Sequence, residues 1–209
     1  MIDVLIVDDH TVVRAGLKQI INETPDMQVK DEAGSGPEAM EKLWNDSFTV
    51  ILLDISLPGR GGLDILKQIK SDSPALPVLI LSMHPEDQYA VRALRAGAAG
   101  YLTKESAPGE LVTAIRRVAS GGRYITHSLA ERLAVELTNG HDKQRHEILS
   151  DREFQVVKLL ASGNSVSDIA DRLALSVKTI STYRARAMEK MEFSNTAQLI
   201  QYVIQEELI

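Results

Sequence analysis

The chain has 209 residues, 44% of them hydrophobic and 25% charged, with a net charge of −6 and no cysteine. That length holds one large domain or two small ones, and the lack of cysteine excludes disulfides, thiolate nucleophiles and cysteine-ligated zinc. No apolar run approaches the roughly 18 residues of a membrane span and the N-terminus carries no secretory pattern, so the expectation is a soluble, cytoplasmic protein with no membrane partner.

The first 120 residues alternate strand and helix. Short apolar runs predict strands at 2–7, 27–33, 49–53, 77–81 and 99–102, and helical patterns fall near 11–23, 37–46, 62–71, 86–96 and 108–119. Parallel strands need crossovers, so five such units predict a doubly wound, five-stranded parallel sheet with helices on both faces. The second strand has the least defined register, because Lys30, Asp31 and Glu32 interrupt it.

The rhythm changes at Gly121 and Gly122. Residues 121–147 read as a linker containing one amphipathic helix at 127–137, and the polar stretch 138–147 includes Gly140. From 148 to 209 no strand pattern appears, so an all-α unit of four helices is expected. Ser150 with Glu153 forms a capping box that opens the first, to about 161. Ser165 caps the next, through Leu173; Ser176 a third, from 177 to about 191; Asn195 the last, to about 207.

In an open parallel sheet, ligands bind outside the carboxyl ends of the strands. Those positions hold Asp8 and Asp9 after strand one, Asp54 after strand three, Ser82 after strand four and Lys104 after strand five. Adjacent carboxylates repel, and a hard cation such as Mg²⁺, which takes oxygen ligands, relieves them. An aspartate can also attack phosphorus to form an aspartyl phosphate. Lys104 then offers a point charge to a phosphoryl oxygen, and the Ser82 hydroxyl a hydrogen bond. Asp54 is the best nucleophile because it ends the middle strand. Singly, each residue has a plainer reading: a helix cap, a loop acid, a turn serine or a solvated lysine. Five such residues at successive strand ends favour the site. His10 and His84 keep the plainer reading, an early helix residue and a loop residue.

The stretches "IVDDH", "ILLDISLPGRGG", "ILSMH" and "GYLTKES" resemble the receiver domain of bacterial two-component response regulators, over residues 1–120. The resemblance implies a flavodoxin-like fold with Asp54 as phosphoacceptor. It implies Mg²⁺ held by Asp8, Asp9, Asp54 and the Ser56 carbonyl, with Ser82, Tyr101 and Lys104 forming the switch. Glu105 departs from the pattern, where many receivers carry proline in a cis link. The implied donor is a histidine kinase, and the only chemistry is the protein's own Mg²⁺-dependent phosphoryl acceptance and dephosphorylation. Haloacid dehalogenase-like phosphatases also use an aspartyl phosphate, but their D-x-D pair is replaced here by Asp54 and Ser56. A regulator working unphosphorylated through protein contacts is a third reading, and the complete acidic triad speaks against it.

The stretch "LSDREFQVVKLLASGNSVSDIADRLALSVKTISTYRARAMEKM" resembles the LuxR-type helix-turn-helix of the NarL/FixJ regulators, over residues 148–205, and the resemblance implies 165–173 as supporting helix and 177–190 as recognition helix. On a helical wheel, Val177, Ile180, Ala187, Met188 and Met191 gather on one side, with Lys178, Ser181, Thr182, Ala185 and Glu189 opposite and Arg186 beside them. The segment 176–190 carries Lys178, Arg184, Arg186 and Lys190 against Glu189 alone, a local +3. A solvated amphipathic helix is the plainer reading. The resemblance implies DNA contacts from Lys178, Thr179, Ser181, Thr182, Arg184 and Arg186, and a homodimer through Leu199, Ile200 and Val203, unless these three serve the core. Promoter DNA is the expected target, and RNA polymerase a further candidate partner.

Overall fold

The computed structural model describes residues 1–209 except 60, 84–85, 139–144, 207 and 209. His84 and most of the predicted 138–147 linker therefore lie outside the described residues. The chain divides into two compact units, Met1–Thr138 and Asn139–Ile209. No described helix is long and apolar enough to cross a membrane.

The first unit holds β1 (Ile2–Val7), α1 (Thr11–Asn22), β2 (Met27–Ala33), α2 (Gly36–Asn45) and β3 (Val50–Asp54). It continues with α3 (Gly62–Asp72), β4 (Val78–Ser82), α4 (Glu86–Arg95), β5 (Gly100–Thr103), α5 (Pro108–Ala119) and α6 (His127–Thr138). The strands form one sheet in the order β2-β1-β3-β4-β5, every pair parallel. Every residue of β3 and β4 is buried, as central strands covered on both faces require. One face packs Val4, Ile6, Leu52, Leu79, Leu81 and Leu102 against Leu111, Ile115 and Val118 of α5.

The charges that interrupt β2 belong to its place at the sheet edge. Lys18 pairs with Glu32, Lys30 with Asp46 and Lys42 with Asp31, and the ladder to β1 shifts register between Val4 and Leu5. A charged, irregular edge discourages pairing with other chains. At the opposite edge, Tyr124 forms an isolated bridge to Gly100, and a Cβ on Gly100 would lie 2.6 Å from the Tyr124 carbonyl oxygen. The segment leaving α5 is thus laid along β5. The predicted helix near 127–137 forms as α6, packs on α4 and buries Leu129.

The second unit comprises a 3-10 turn (Arg145–Ile148), α7 (Asp151–Ala161), α8 (Val166–Leu173), α9 (Val177–Lys190) and α10 (Thr196–Gln205). Each predicted cap is present. Ser150 with Glu153 and Ser165 with Asp168 form capping boxes, and Ser176 and Asn195 accept from the amides of Thr179 and Gln198. Val156, Leu160, Ile169, Ala170, Leu173 and Ile180 make a shared core for α7, α8 and α9. The 3-10 turn occupies the end of the stretch read as linker, and it is sealed onto this unit. His146 Nδ1 lies 3.1 Å from the Tyr202 hydroxyl and its ring packs against Phe154, while the Arg145 guanidinium sits over Phe193.

Candidate functional site

At the carboxyl end of the sheet the structure brings Asp8, Asp54, Ser82 and Lys104 together, with Asp9 and His10 at the rim. Asp8 and Asp54 are each 1% exposed and Ser82 is fully buried. Strand β3 delivers Asp54, and the turn after it is held tight by Gly62, where a Cβ would collide with the Asp54 carbonyl oxygen and the Ile55 Cα. The Ser56 amide donates to Oδ1 of Asp54 at 3.0 Å. Lys104 Nζ donates to Oδ2 of Asp54 at 2.8 Å and lies 2.6 Å from Oδ2 of Asp8. The Lys104 amide donates to the Ser82 carbonyl at 2.8 Å, which fastens the lysine to the end of β4. No cis peptide bond occurs among the described residues, so the Lys104–Glu105 link is trans.

Electrostatics explain this arrangement. Burial pushes the Asp54 carboxyl above the usual carboxylate range, and the Lys104 ammonium offsets only part of that rise. Burial would lower the Lys104 ammonium, but Asp54 and Asp8 overcome it and hold it above the ordinary lysine value. One cation thus serves two buried carboxylates. Two buried carboxylates that share one ammonium, with the Asp9 carboxylate close by, fit a hard divalent cation; the pocket is acidic and compatible with metal binding. Tyr101, on β5, is wholly buried.

In the second unit, Lys178, Thr179, Thr182, Tyr183 and Arg186 line a shallow groove of about 250 Å³ along α9. Lys178, Thr182 and Arg186 are exposed, while Thr179, Ser181 and Arg184 are half-buried. Among the described residues no carboxylate pairs with Lys178 or Arg186. Lys190 is different: its ammonium donates to Oε2 of Glu153 at 2.7 Å, so it serves the fold and drops out of the local positive cluster. Val177, on the apolar side of the wheel, is half exposed at the first turn of α9, and Leu199 and Val203 of α10 are fully buried. These two fill the core of a very small unit and are not available to a second copy. Ile204, at 56% exposed, and the partly exposed Ile200 form the outward apolar surface of α10.

Sequence reasoning overlooked two of these contributors, Tyr183 and Arg14. Tyr183 reads as neither apolar nor basic on the wheel. Ile204 shares the apolar stripe of Leu199, Ile200 and Val203, and the stripe does not say which of the four turns outward. Arg14, whose Nη1 donates to the Asp8 carbonyl at 2.6 Å, had only its i+6 distance as a signal.

Together these features define a class, an α/β receiver with an acidic strand-end pocket joined in one chain to a helix-turn-helix unit. Residues 4–116 match the response regulator receiver domain and residues 147–203 the luxR family of bacterial regulatory proteins. The chain belongs to the NarL/FixJ family of two-component response regulators, with a LuxR-type DNA-binding domain. It is 36% identical to response regulator UvrY of Escherichia coli K12, over 98% of this chain and 94% of that one. It is also 36% identical to response regulator GacA of Pseudomonas aeruginosa, over 95% and 94%. Among solved structures it resembles RcsB from Salmonella enterica serovar Typhimurium bound to the rprA promoter with the phosphomimetic BeF3−. That match has 26% identity and a TM-score of 0.65, covering 97% of this chain and 98% of RcsB.

Proposed function

We propose that Asp54 accepts a phosphoryl group from a histidine kinase and that this acceptance controls dimerisation and sequence-specific promoter binding. The observation that carries the reading is the Lys104 ammonium bridging two buried carboxylates, Asp54 and Asp8, at the end of the central strand. An oxygen of Asp54 attacks phosphorus, the donor's phosphorus–nitrogen bond breaks, and the released imidazole takes a proton. Lys104 then turns from Asp54 to a phosphoryl oxygen, and the Ser82 hydroxyl donates to another. A Mg²⁺ ion held by Asp8, Asp9, Asp54 and the Ser56 carbonyl would screen the carboxylates from the incoming charge. Hydrolysis of the same bond by water resets the protein, which turns over no other substrate. Inward movement of Ser82, followed by Tyr101, carries the change to the receiver surface.

Lys178, Thr179, Ser181, Thr182, Arg184 and Arg186 contact DNA. The exposed Lys178 and Arg186 meet phosphates, and the small side chains let α9 approach the groove. RcsB's promoter complexes support this use of the fold. The α10 contact between two copies is best supplied by Ile200 and Ile204. Such a protein works in the cytoplasm, beside RNA polymerase at the promoter.

The test treats the protein with acetyl phosphate and Mg²⁺ and maps the added mass. Label is expected on Asp54 alone, absent from Asp54→Asn and suppressed by chelation. Label that persists in the variant, or lands on Asp8 or Asp9, overturns the assignment.

A further inference from the structure

The acidic pocket lies at the carboxyl end of the sheet, and the amino end holds a second cavity that the mechanism does not use. Its volume is about 380 Å³, and it opens between the turn after α3, the start of β5 and the segment leaving α5. Pro74, Pro77, Ala98, Ala99 and Val118 give it apolar walls. Among the described residues its charged lining is Lys70 and Arg123, with no carboxylate.

Lys70 is fixed in place. Its ammonium donates to the Leu76 carbonyl at 2.5 Å and to the Pro74 carbonyl at 3.3 Å. Its stem runs beside Gly97, where a Cβ would lie 3.1 Å from Lys70 Cγ and where φ is +98°, a conformation that suits glycine. An ammonium carries three N–H donors, so one is left for a ligand. Arg123 is exposed, and its guanidinium has no carboxylate partner among the described residues. Burial, and then the nearby Arg123, hold the Lys70 ammonium below the ordinary lysine value. Two like charges with no acid between them are relieved by an anion.

The chemistry of the lining selects the anion. The amides of Gly97, Gly121 and Gly122 already donate to the carbonyls of Leu94, Val118 and Arg117, so the two side chains must supply the polar contacts. A guanidinium fork and an ammonium suit phosphate oxygens, and a phosphate monoester carries about −1.5 to −2 charge at neutral pH, which matches two cations. The cavity is larger than a phosphate group, and its remaining walls are proline, alanine and valine, which suit an apolar body. We propose that this cavity binds a small phosphate monoester with an apolar body, its phosphate held between Lys70 and Arg123. Arg123 immediately precedes Tyr124, the residue bridged to Gly100, so an occupant ties the turn after α3 to the segment leaving the sheet.

The test follows backbone amides of the full-length protein by nuclear magnetic resonance, with chelator present so that Asp54 stays unphosphorylated. Phenyl phosphate, inorganic phosphate and phenol are titrated separately. Phenyl phosphate should shift the amides of Gly97, Ala98, Gly121 and Gly122 saturably. Inorganic phosphate should shift the same amides at higher concentration, and phenol should not. Arg123→Gln and Lys70→Gln should each weaken phenyl phosphate about tenfold or more, the order of one lost hydrogen bond between charged groups. Lys70→Gln also removes the bonds to Pro74 and Leu76, whereas Arg123→Gln leaves them, so the arginine variant tests the site without disturbing its floor. Saturable shifts that are absent, or that centre on Asp54 and Lys104 instead, overturn the site. Affinity unchanged in Arg123→Gln overturns the phosphate contact, and equal affinity for phenyl phosphate and inorganic phosphate overturns the apolar body.

Discussion

Asp54 is held in a place that suits its carboxylate badly. Burial raises its proton affinity and Lys104 compensates only in part, so the folded-state pKa lies above the unfolded one. A folded state that binds the proton more tightly loses stability as pH rises from the ordinary aspartate range through the raised value. Asp54→Asn removes that penalty while Lys104 keeps Asp8. The metal-free variant is therefore expected to unfold at higher urea than wild type at neutral pH, with the gap closing as pH falls below about 4. A variant equal to or weaker than wild type at neutral pH would show that the Lys104 interaction outweighs burial. Mg²⁺ acts oppositely: binding only the folded state, it stabilises by about RT ln(1 + [L]/Kd), and wild type should gain more than Asp54→Asn. The local positions of these residues were legible because strand ends are easily read from apolar runs. The bridge from Lys104 to two acids was not, since nothing in sequence spacing says which side chains meet across β1, β3 and β5.

Helix caps carry the second unit, and they follow from short-range chemistry that sequence reports well. Ser150 accepts from the Glu153 amide while Glu153 returns a bond to the Ser150 amide. Ser150→Ala should cost about 1 kcal/mol in chemical denaturation, and no measurable change would mean the box is redundant with packing. Burial would raise the Glu153 carboxyl, yet Lys190 and the Ser150 amide together hold it below the usual glutamate range. With the folded value depressed, its contribution is complete above the unfolded pKa and is lost as pH falls through the folded one. Glu153→Gln should flatten the acid limb of the stability curve. The turn between α8 and α9 places Ala174 at φ +52°, a region costing an L-residue roughly 1–2 kcal/mol. Ala174→Gly should raise stability by somewhat less, because glycine also frees the unfolded chain. A lower midpoint for this variant would show that the alanine methyl is packed. Helix period placed Leu199 and Ile204 on one stripe, but burial depends on which helix packs there. Likewise, the 3-10 turn at Arg145–Ile148 rests on long-range ring contacts that a polar stretch does not announce.

At the scale of the whole molecule, the first unit is acidic, while the second, also net negative, is locally basic on α9. Residues 1–122 hold 12 basic and 17 acidic side chains, while exposed Lys178 and Arg186 on α9 have no described carboxylate partner. Opposite charge favours association of an acidic surface with a DNA-seeking one. The path out of the first unit also matters: Tyr124 is bridged to Gly100, next to the buried Tyr101, and α6 packs on α4. If Ser82 on β4 and Tyr101 on β5 shift on phosphorylation, as proposed, the change would reach the root of the connection between units through neighbouring strands. These features lead to the hypothesis of a closed–open equilibrium in which the unphosphorylated first unit weakens DNA binding by the second. Coupling between sites is typically worth ~1–3 kcal/mol, or roughly 5- to 150-fold in affinity. The fragment 147–209 should therefore bind a promoter fragment selected by the intact protein more tightly than the intact, unphosphorylated chain does, compared per monomer at equal salt. Acetyl phosphate should close that gap for the intact chain and leave the fragment unchanged. Lys178→Ala and Arg186→Ala should weaken both forms, and each should lower the salt slope by about one if its side chain neutralises a single DNA phosphate. Equal binding by fragment and intact chain before phosphorylation would dismiss autoinhibition and leave dimerisation as the sole route from Asp54 to DNA.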